Sequence, residues 1–188
     1  MGSVSTPQPK LYTAQDVEQF DAQGYRFELI HGELKPMSPT SRGHGRETMN
    51  IAGEIWHFVR EHQLGETYAA ETGFWLTKEP DTVLAPDVAF VCNDRLVGLS
   101  QDGFVECVPY LVVETRSPSD SQREVAAKIK RWLDFGVRLV IDLDPAGQTL
   151  TIHRPGAQSE MLGPGDIFSG YDVLPGLTLP VSRIFRQS

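Results

Sequence analysis

Asp87, Glu114 and Lys128 are the residues of this chain whose types and settings could do chemistry together. Asp87 heads the strand-like run Ala85-Pro86-Asp87-Val88-Ala89-Phe90-Val91, and Glu114 closes the apolar run Tyr110-Leu111-Val112-Val113-Glu114. Two carboxylates at the ends of neighbouring strands make an oxygen-only ligand set suited to Mg²⁺ or Mn²⁺. A cation held there polarises a phosphate oxygen and lowers the pKa of a bound water. Lys128 falls among the side chains of a helix that should be buried, where a lysine needs a carboxylate or phosphate to offset its desolvation. Near Glu114 it could orient the attacking water or stabilise the transition state of phosphodiester hydrolysis. Each signal has a plainer reading. An Asp after Pro often only starts a strand, a Glu ending an apolar run is often solvated, and an inward Lys often snorkels out. Their convergence in one neighbourhood favours a site.

The elements that must position them can be read from periodicity and caps. Residues 11–23 form a short helix with Thr13 as N-cap, and Gly24 stops it. Residues 25–30 alternate as a strand, and His31-Gly32 turns into a second strand at residues 33–37. Thr40 or Ser41 caps a long helix at residues 44–64. Steps of about 100° per residue put Met49, Ile51, Ala52, Ile55, Trp56, Phe58 and Val59 on its apolar half. Residues 68–76 form a strand bent at Gly73, and residues 78–81 a turn. The Asp87 strand, a loop over residues 93–109 and the Glu114 strand follow. A second long helix spans residues 123–135 and ends at Gly136. Its apolar residues Val125, Ile129, Trp132, Leu133 and Phe135 span an arc of about 160°, and Lys128 lies within it. Residues 138–142 are the next strand, so strand, helix and strand form one right-handed crossover in a mixed sheet. Residues 149–154 complete a hairpin, and the Gly- and Pro-rich remainder holds short strand-like pieces. The fold class expected is α/β, a mixed β-sheet flanked by helices.

The length of 188 residues fits one domain over residues 11–188, behind a flexible start at residues 1–10. Two cysteines without metal-ligand spacing point to a reducing, cytoplasmic setting. No run is long and apolar enough for a membrane span. The net charge of −8 argues against a chain that coats nucleic acid nonspecifically. Between Arg116 and Arg138, however, bases outnumber acids by six to three, beside the expected site. His57 and His62 lack the spacing of a helical zinc pair, and neither a phosphate-binding Gly-rich loop nor a Gly-x-Ser-x-Gly elbow is present.

Several stretches carry a resemblance as well. Tyr25-Arg26-Phe27-Glu28-Leu29-Ile30-His31-Gly32-Glu33, Thr72-Gly73-Phe74-Trp75-Leu76, the Asp87 run, Leu111-Val112-Val113-Glu114-Thr115-Arg116-Ser117-Pro118-Ser119 and Gly136-Val137 resemble the successive motifs of the Uma-type family of "putative restriction endonucleases". That family was once catalogued as a domain of unknown function and belongs to the PD-(D/E)xK nuclease superfamily. The resemblance runs from about residue 25 to residue 185. It implies a restriction-endonuclease-like core and a Mg²⁺ (or Mn²⁺) site, with Asp87 as the Asp of the PD motif and Glu114 as the acid of the second. The superfamily's usual lysine, two residues after that acid, is replaced here by Arg116. Lys128 matches a lysine that family members carry on the following helix, and Arg116 would share its role or contact phosphate. Glu28 matches a recurrent acid, expected to supply a metal or water contact or to pair with Lys128. His44 matches a recurrent histidine and is either a ligand or proton carrier in the site or a satisfied core or capping residue.

The expectation is a metal-dependent endonuclease acting on DNA, leaving a 3′-hydroxyl and a 5′-phosphate, with nucleic acid as partner and a homodimer as a possible assembly. The alternative is a non-catalytic nucleic-acid or protein-binding module that keeps the fold. A phosphohydrolase of small molecules is a third, weaker reading.

Overall fold

The computed structural model describes residues 10–185, so the flexible start expected at residues 1–10 lies outside it except for Lys10. Helix α1 (Ala14–Ala22) begins at a reciprocal cap in which Thr13 and Asp16 satisfy each other's backbone N–H. Strands β1 (Phe27–Ile30) and β2 (Glu33–Pro36) form a hairpin. Its turn places both His31 and Gly32 at positive φ, the geometry that matches the twist of paired strands. Helix α2 (Arg42–Glu61) is capped by Ser41. Strands β3 (Gly65–Ala69), β4 (Phe74–Thr77), β5 (Thr82–Leu84) and β6 (Val88–Cys92) follow. The short helix α3 (Asn93–Leu96), strand β7 (Leu111–Thr115), helix α4 (Gln122–Asp134) and strand β8 (Leu139–Asp144) come next. Strands β9 (Thr149–His153), β10 (Glu160–Leu162), β11 (Ile167–Ser169) and β12 (Thr178–Pro180) end the series.

The main sheet has the order β10-β9-β8-β7-β6-β3. Only β7 and β8 in it are parallel, joined through α4, so the expected crossover in a mixed sheet is present. Their side chains, Leu111–Thr115 and Leu139–Leu143, are buried on both faces, as a strand covered on two sides requires. One face packs on α2 through Ile51, Ile55 and Val59, together with C-terminal residues such as Phe168, Leu174 and Leu179. The other packs on α4 through Val125, Ile129 and Trp132. A smaller sheet, β2-β1-β5-β4, packs Leu29 and Val83 on α1. Cys92 and Cys107 are free thiols.

Four expectations are corrected. Residues 68–76 are not one bent strand: β3 joins the main sheet and β4 the smaller one, with a turn between. Strand β5 lies just after the expected turn, a three-residue segment too short to show a period. The stretch expected to be all loop at residues 93–109 opens with α3. Met49 and Trp56, read as apolar-half residues of α2, are 68% and 48% exposed. The buried stripe of α2 is His44, Glu47, Ile51, Ile55 and Val59, and Met49 and Trp56 lie about 120–140° round the helix from His44. One sheet face covers a narrower arc than the apolar half suggests.

Candidate active site

The sheet brings Asp87 and Glu114 side by side. In the antiparallel β6–β7 pair Val88 faces Val113, so Asp87 comes opposite Glu114 one step further on. Parallel to β7, Asp142 of β8 faces Glu114 across the other edge. The ends of three adjacent strands therefore carry three carboxyl groups.

Asp87 is oriented from two sides. Its Oδ2 accepts the backbone N–H of Thr115 at 2.8 Å. The same oxygen lies 3.4 Å from Nε2 of His44, in the first turn of α2. Burial disfavours a charge on His44, but the hydrogen bond and the negative charge of Asp87, helped by a backbone hydrogen bond at Thr115, leave its pKa raised above the ordinary value. His44 is thus a buried helix-face residue whose ring reaches Asp87.

Glu114 is held between two residues of α4. Its Oε1 accepts the indole N–H of Trp132 at 2.7 Å, and its Oε2 lies 3.6 Å from Nζ of Lys128. Burial pushes the Glu114 pKa up to about 7 against the opposing pull of Lys128, and the charges of Glu28 and Asp87 add to the rise. Lys128 is only half-buried, with its side chain 43% exposed. Its pKa is raised chiefly by Glu114, against some desolvation, with Glu28, Asp120 and Asp87 contributing. The helix arithmetic therefore named the right direction for Lys128, and the ammonium reaches a carboxylate rather than the apolar core.

Glu28 enters from the small sheet. Its Oε1 accepts the backbone N–H of Ala85 at 3.2 Å, so the acid of the first hairpin braces the segment leading into Asp87. Burial raises its pKa while Lys128 lowers it. Glu28, Asp87, Glu114 and Lys128 thus share one electrostatic neighbourhood with three carboxyl groups and a single ammonium.

Arg116 has a different setting from the phosphate contact expected of it. Its guanidinium forks onto Asp142, with Nε to Oδ1 at 2.8 Å and a second nitrogen to Oδ2 at 2.5 Å, and also reaches Asp144 at 3.5 Å. Asp142 is 2% exposed, so this pair compensates a buried charge. Nor do the bases between Arg116 and Arg138 form one groove. Arg138 stands at the opposite end of β8, paired with Asp172, and Lys130 pairs with Asp134.

Asp87 and Glu114 are the side chains that could hold a divalent cation, with Glu28 in the same electrostatic neighbourhood. Among the described residues no three His, Cys, Asp or Glu side chains close a cage around an ion. The donor chemistry nevertheless fits Mg²⁺, which keeps several waters and takes one or two carboxylates.

Sequence reasoning missed Trp132, Asp142 and the Thr115 amide. Trp132 looked like plain core, and nothing local signals where its N–H points. Asp142 could have been found: an acid inside the apolar run Leu139-Val140-Ile141-Asp142-Leu143 has to be paired.

The family model described as "Uma2: Putative restriction endonuclease" matches residues 13–182. No curated protein matches the chain. A crystal structure of a putative nuclease belonging to DUF820 from Anabaena variabilis ATCC 29413 is similar in fold, with a TM-score of 0.72 at 20% sequence identity over 85% of this chain and 89% of that one. No helix among the described residues is long and apolar enough to cross a membrane. With a restriction-endonuclease-like α/β fold and a family match over nearly its whole length, this chain belongs to the Uma2 family.

Proposed function

We propose that the chain is a Mg²⁺- or Mn²⁺-dependent endonuclease that hydrolyses phosphodiester bonds in DNA. The observation that carries this reading is the placement of Asp87 beside Glu114 at adjacent strand ends, with Lys128 3.6 Å from Glu114. Asp87 and Glu114 would hold the cation, which would supply Lewis-acid polarisation of the phosphate and a more acidic water. The rest is the work of the chain's own groups. Thr115 N–H and His44 hold the Asp87 carboxylate in one orientation, and Trp132 does the same for Glu114. The Lys128 ammonium orients the attacking water and offsets negative charge that builds on the phosphoryl oxygens. Glu28 holds the Ala85 backbone, and with it the approach to Asp87. In-line displacement would leave a 3′-hydroxyl and a 5′-phosphate.

The test is plasmid nicking with Mg²⁺ or Mn²⁺, with Asp87→Ala run in parallel. Metal-dependent nicking lost in the variant is expected, and equal nicking by both proteins would overturn the proposal. The second reading, a binding module that keeps the fold without catalysis, draws on Arg116. The position two residues after the acid holds a cation already committed to Asp142. Calorimetric titration with Mn²⁺ separates the two, because binding lost in Asp87→Ala supports a nuclease and no binding supports the module.

A further inference from the structure

Beside Asp87 and His44 lies a cavity of about 470 Å³ that the phosphodiester chemistry leaves unused. Its volume is within the roughly 300–1,000 Å³ of small-molecule pockets. Its walls are mostly apolar: Met37 and Pro39 after β2, Met49 and Ala52 on α2, and Ala69 and Ala70 at the end of β3. Asp87 and His44 stand at one side of it. The flank of α2 that forms one wall continues outward to Trp56, one turn beyond Ala52, whose exposed ring carries the Arg60 guanidinium 5.1 Å from its centroid. Met49, Ala52 and Trp56 lie within about 60° of one another round the helix. Met49 and Trp56 are exposed and Ala52 between them is half-buried, so they form an apolar track leading away from the cavity that Asp87 lines.

We propose that this cavity receives an unpaired base of the nucleic acid, next to the phosphate positioned at Asp87, and that Trp56 stacks a further base of the same strand. The proposal rests on the nuclease reading and gives it a substrate class: a strand with unstacked bases rather than a perfect duplex. A paired base lies inside its stack and cannot enter a cavity in the protein, whereas an extruded or single-stranded base can. Thioether and methyl walls favour the flat faces of a base, and Arg26, Ser38, Thr40, Thr48 and Glu71 in the same lining offer polar groups to its edges. An indole backed by a guanidinium is the kind of surface on which single strands stack. Continuity with Asp87 is what favours a nucleic-acid strand over another occupant, because a chain whose phosphate sits at Asp87 must put its neighbouring nucleotides somewhere within reach.

The test measures binding separately from cleavage. Fluorescein-labelled single-stranded DNA, the same sequence as RNA, and the perfect DNA duplex are titrated with the full chain in Ca²⁺, and anisotropy is read. Binding of the DNA or the RNA single strand about tenfold tighter than the duplex is expected, and the DNA and RNA arms tell which sugar is preferred. Ala52→Phe, which fills the cavity, and Trp56→Ala, which removes the platform, should each weaken the single strand about tenfold. Thermal melts by circular dichroism verify that each variant folds, and Trp56→Ala carries the test alone if Ala52→Phe does not. Equal affinity for single strand and duplex, or full single-strand affinity in folded variants, would overturn the proposal. So would a dimer by light scattering that Trp56→Ala dissociates, since a second copy would then occupy the track. The nuclease reading fails separately: single-strand binding without any metal-dependent cleavage of either the plasmid or the single strand supports the pocket and sinks the catalysis, whereas Asp87-dependent cleavage without strand preference does the reverse.

Discussion

Trp132 donates its indole N–H to Glu114 across 2.7 Å, although the tryptophan is itself 1% exposed and packed in the core between α4 and the main sheet. A core residue thereby sets the rotamer of a candidate metal ligand. Trp132→Phe keeps most of the packing and removes the donor. Losing a hydrogen bond to a buried charged group costs about 1.5–3 kcal/mol, so urea unfolding should show a destabilisation of that order. Metal-dependent cleavage should fall, and the pH at which Glu114 titrates should move above about 7, because the lost bond is one that lowers its pKa.

The pH dependence of stability without metal should run opposite to that of an ordinary paired carboxylate. Glu114 is raised from 4.5 to about 7 by burial, so the folded state holds its proton more tightly than the unfolded state. Its contribution is present below about pH 4.5 and is lost as the pH rises through about 7, a difference of about 3 kcal/mol at most. Raised Glu28 and His44 act in the same direction. Urea midpoints at about pH 5 and about pH 8 should therefore favour the lower pH, and Glu114→Gln, which can still accept from Trp132, should flatten that difference. A midpoint that instead rises steadily with pH in both proteins would contradict this account.

Metal binding should be coupled to proton release. A cation needs Glu114 ionised, and near pH 7 about half of that group carries a proton. Calorimetry with Mn²⁺ in two buffers of different ionisation enthalpy should give different apparent heats, and the difference should shrink in Glu114→Gln.

Lys128→Met keeps the stem of the side chain on the face of α4 and deletes the ammonium 3.6 Å from Glu114. Single-turnover cleavage should drop roughly 10²-fold or more, the scale of losing one group that stabilises transition-state charge. Thermal stability should change little, because the lysine is half exposed.

Arg116→Ala is expected to act on stability first. It strands Asp142 in the interior without its partner, a loss of about 3 kcal/mol. Adding Asp142→Asn should recover part of the loss, and a double-mutant cycle by urea unfolding measures the coupling. A direct phosphate contact would appear instead as weakened DNA binding in a protein of unchanged stability.

Local order carried the sequence reading far. Thr13 caps helix α1 where its sequence placed it, and the runs 88–91, 111–115 and 139–143 are strands. Lys128 could be placed because a helix fixes each residue's angle to its neighbours. Met49 and Trp56 were misplaced by the same arithmetic, since a helical wheel shows which side is apolar but not how much of it a neighbour covers.

What the sequence determined by itself is the crossover Glu114 strand, α4, β8, with an acid at the end of one strand and a lysine on the helix between them. Periodicity and capping depend on near neighbours in the chain, so they are written locally. Only the tertiary structure decided that Glu28, 57 residues before Ala85, braces the approach to Asp87, that Trp132 aims its N–H at Glu114, and that Arg116 serves Asp142. Those contacts join separate elements, and the direction of a side chain's polar atoms is fixed only once the packing around it excludes water.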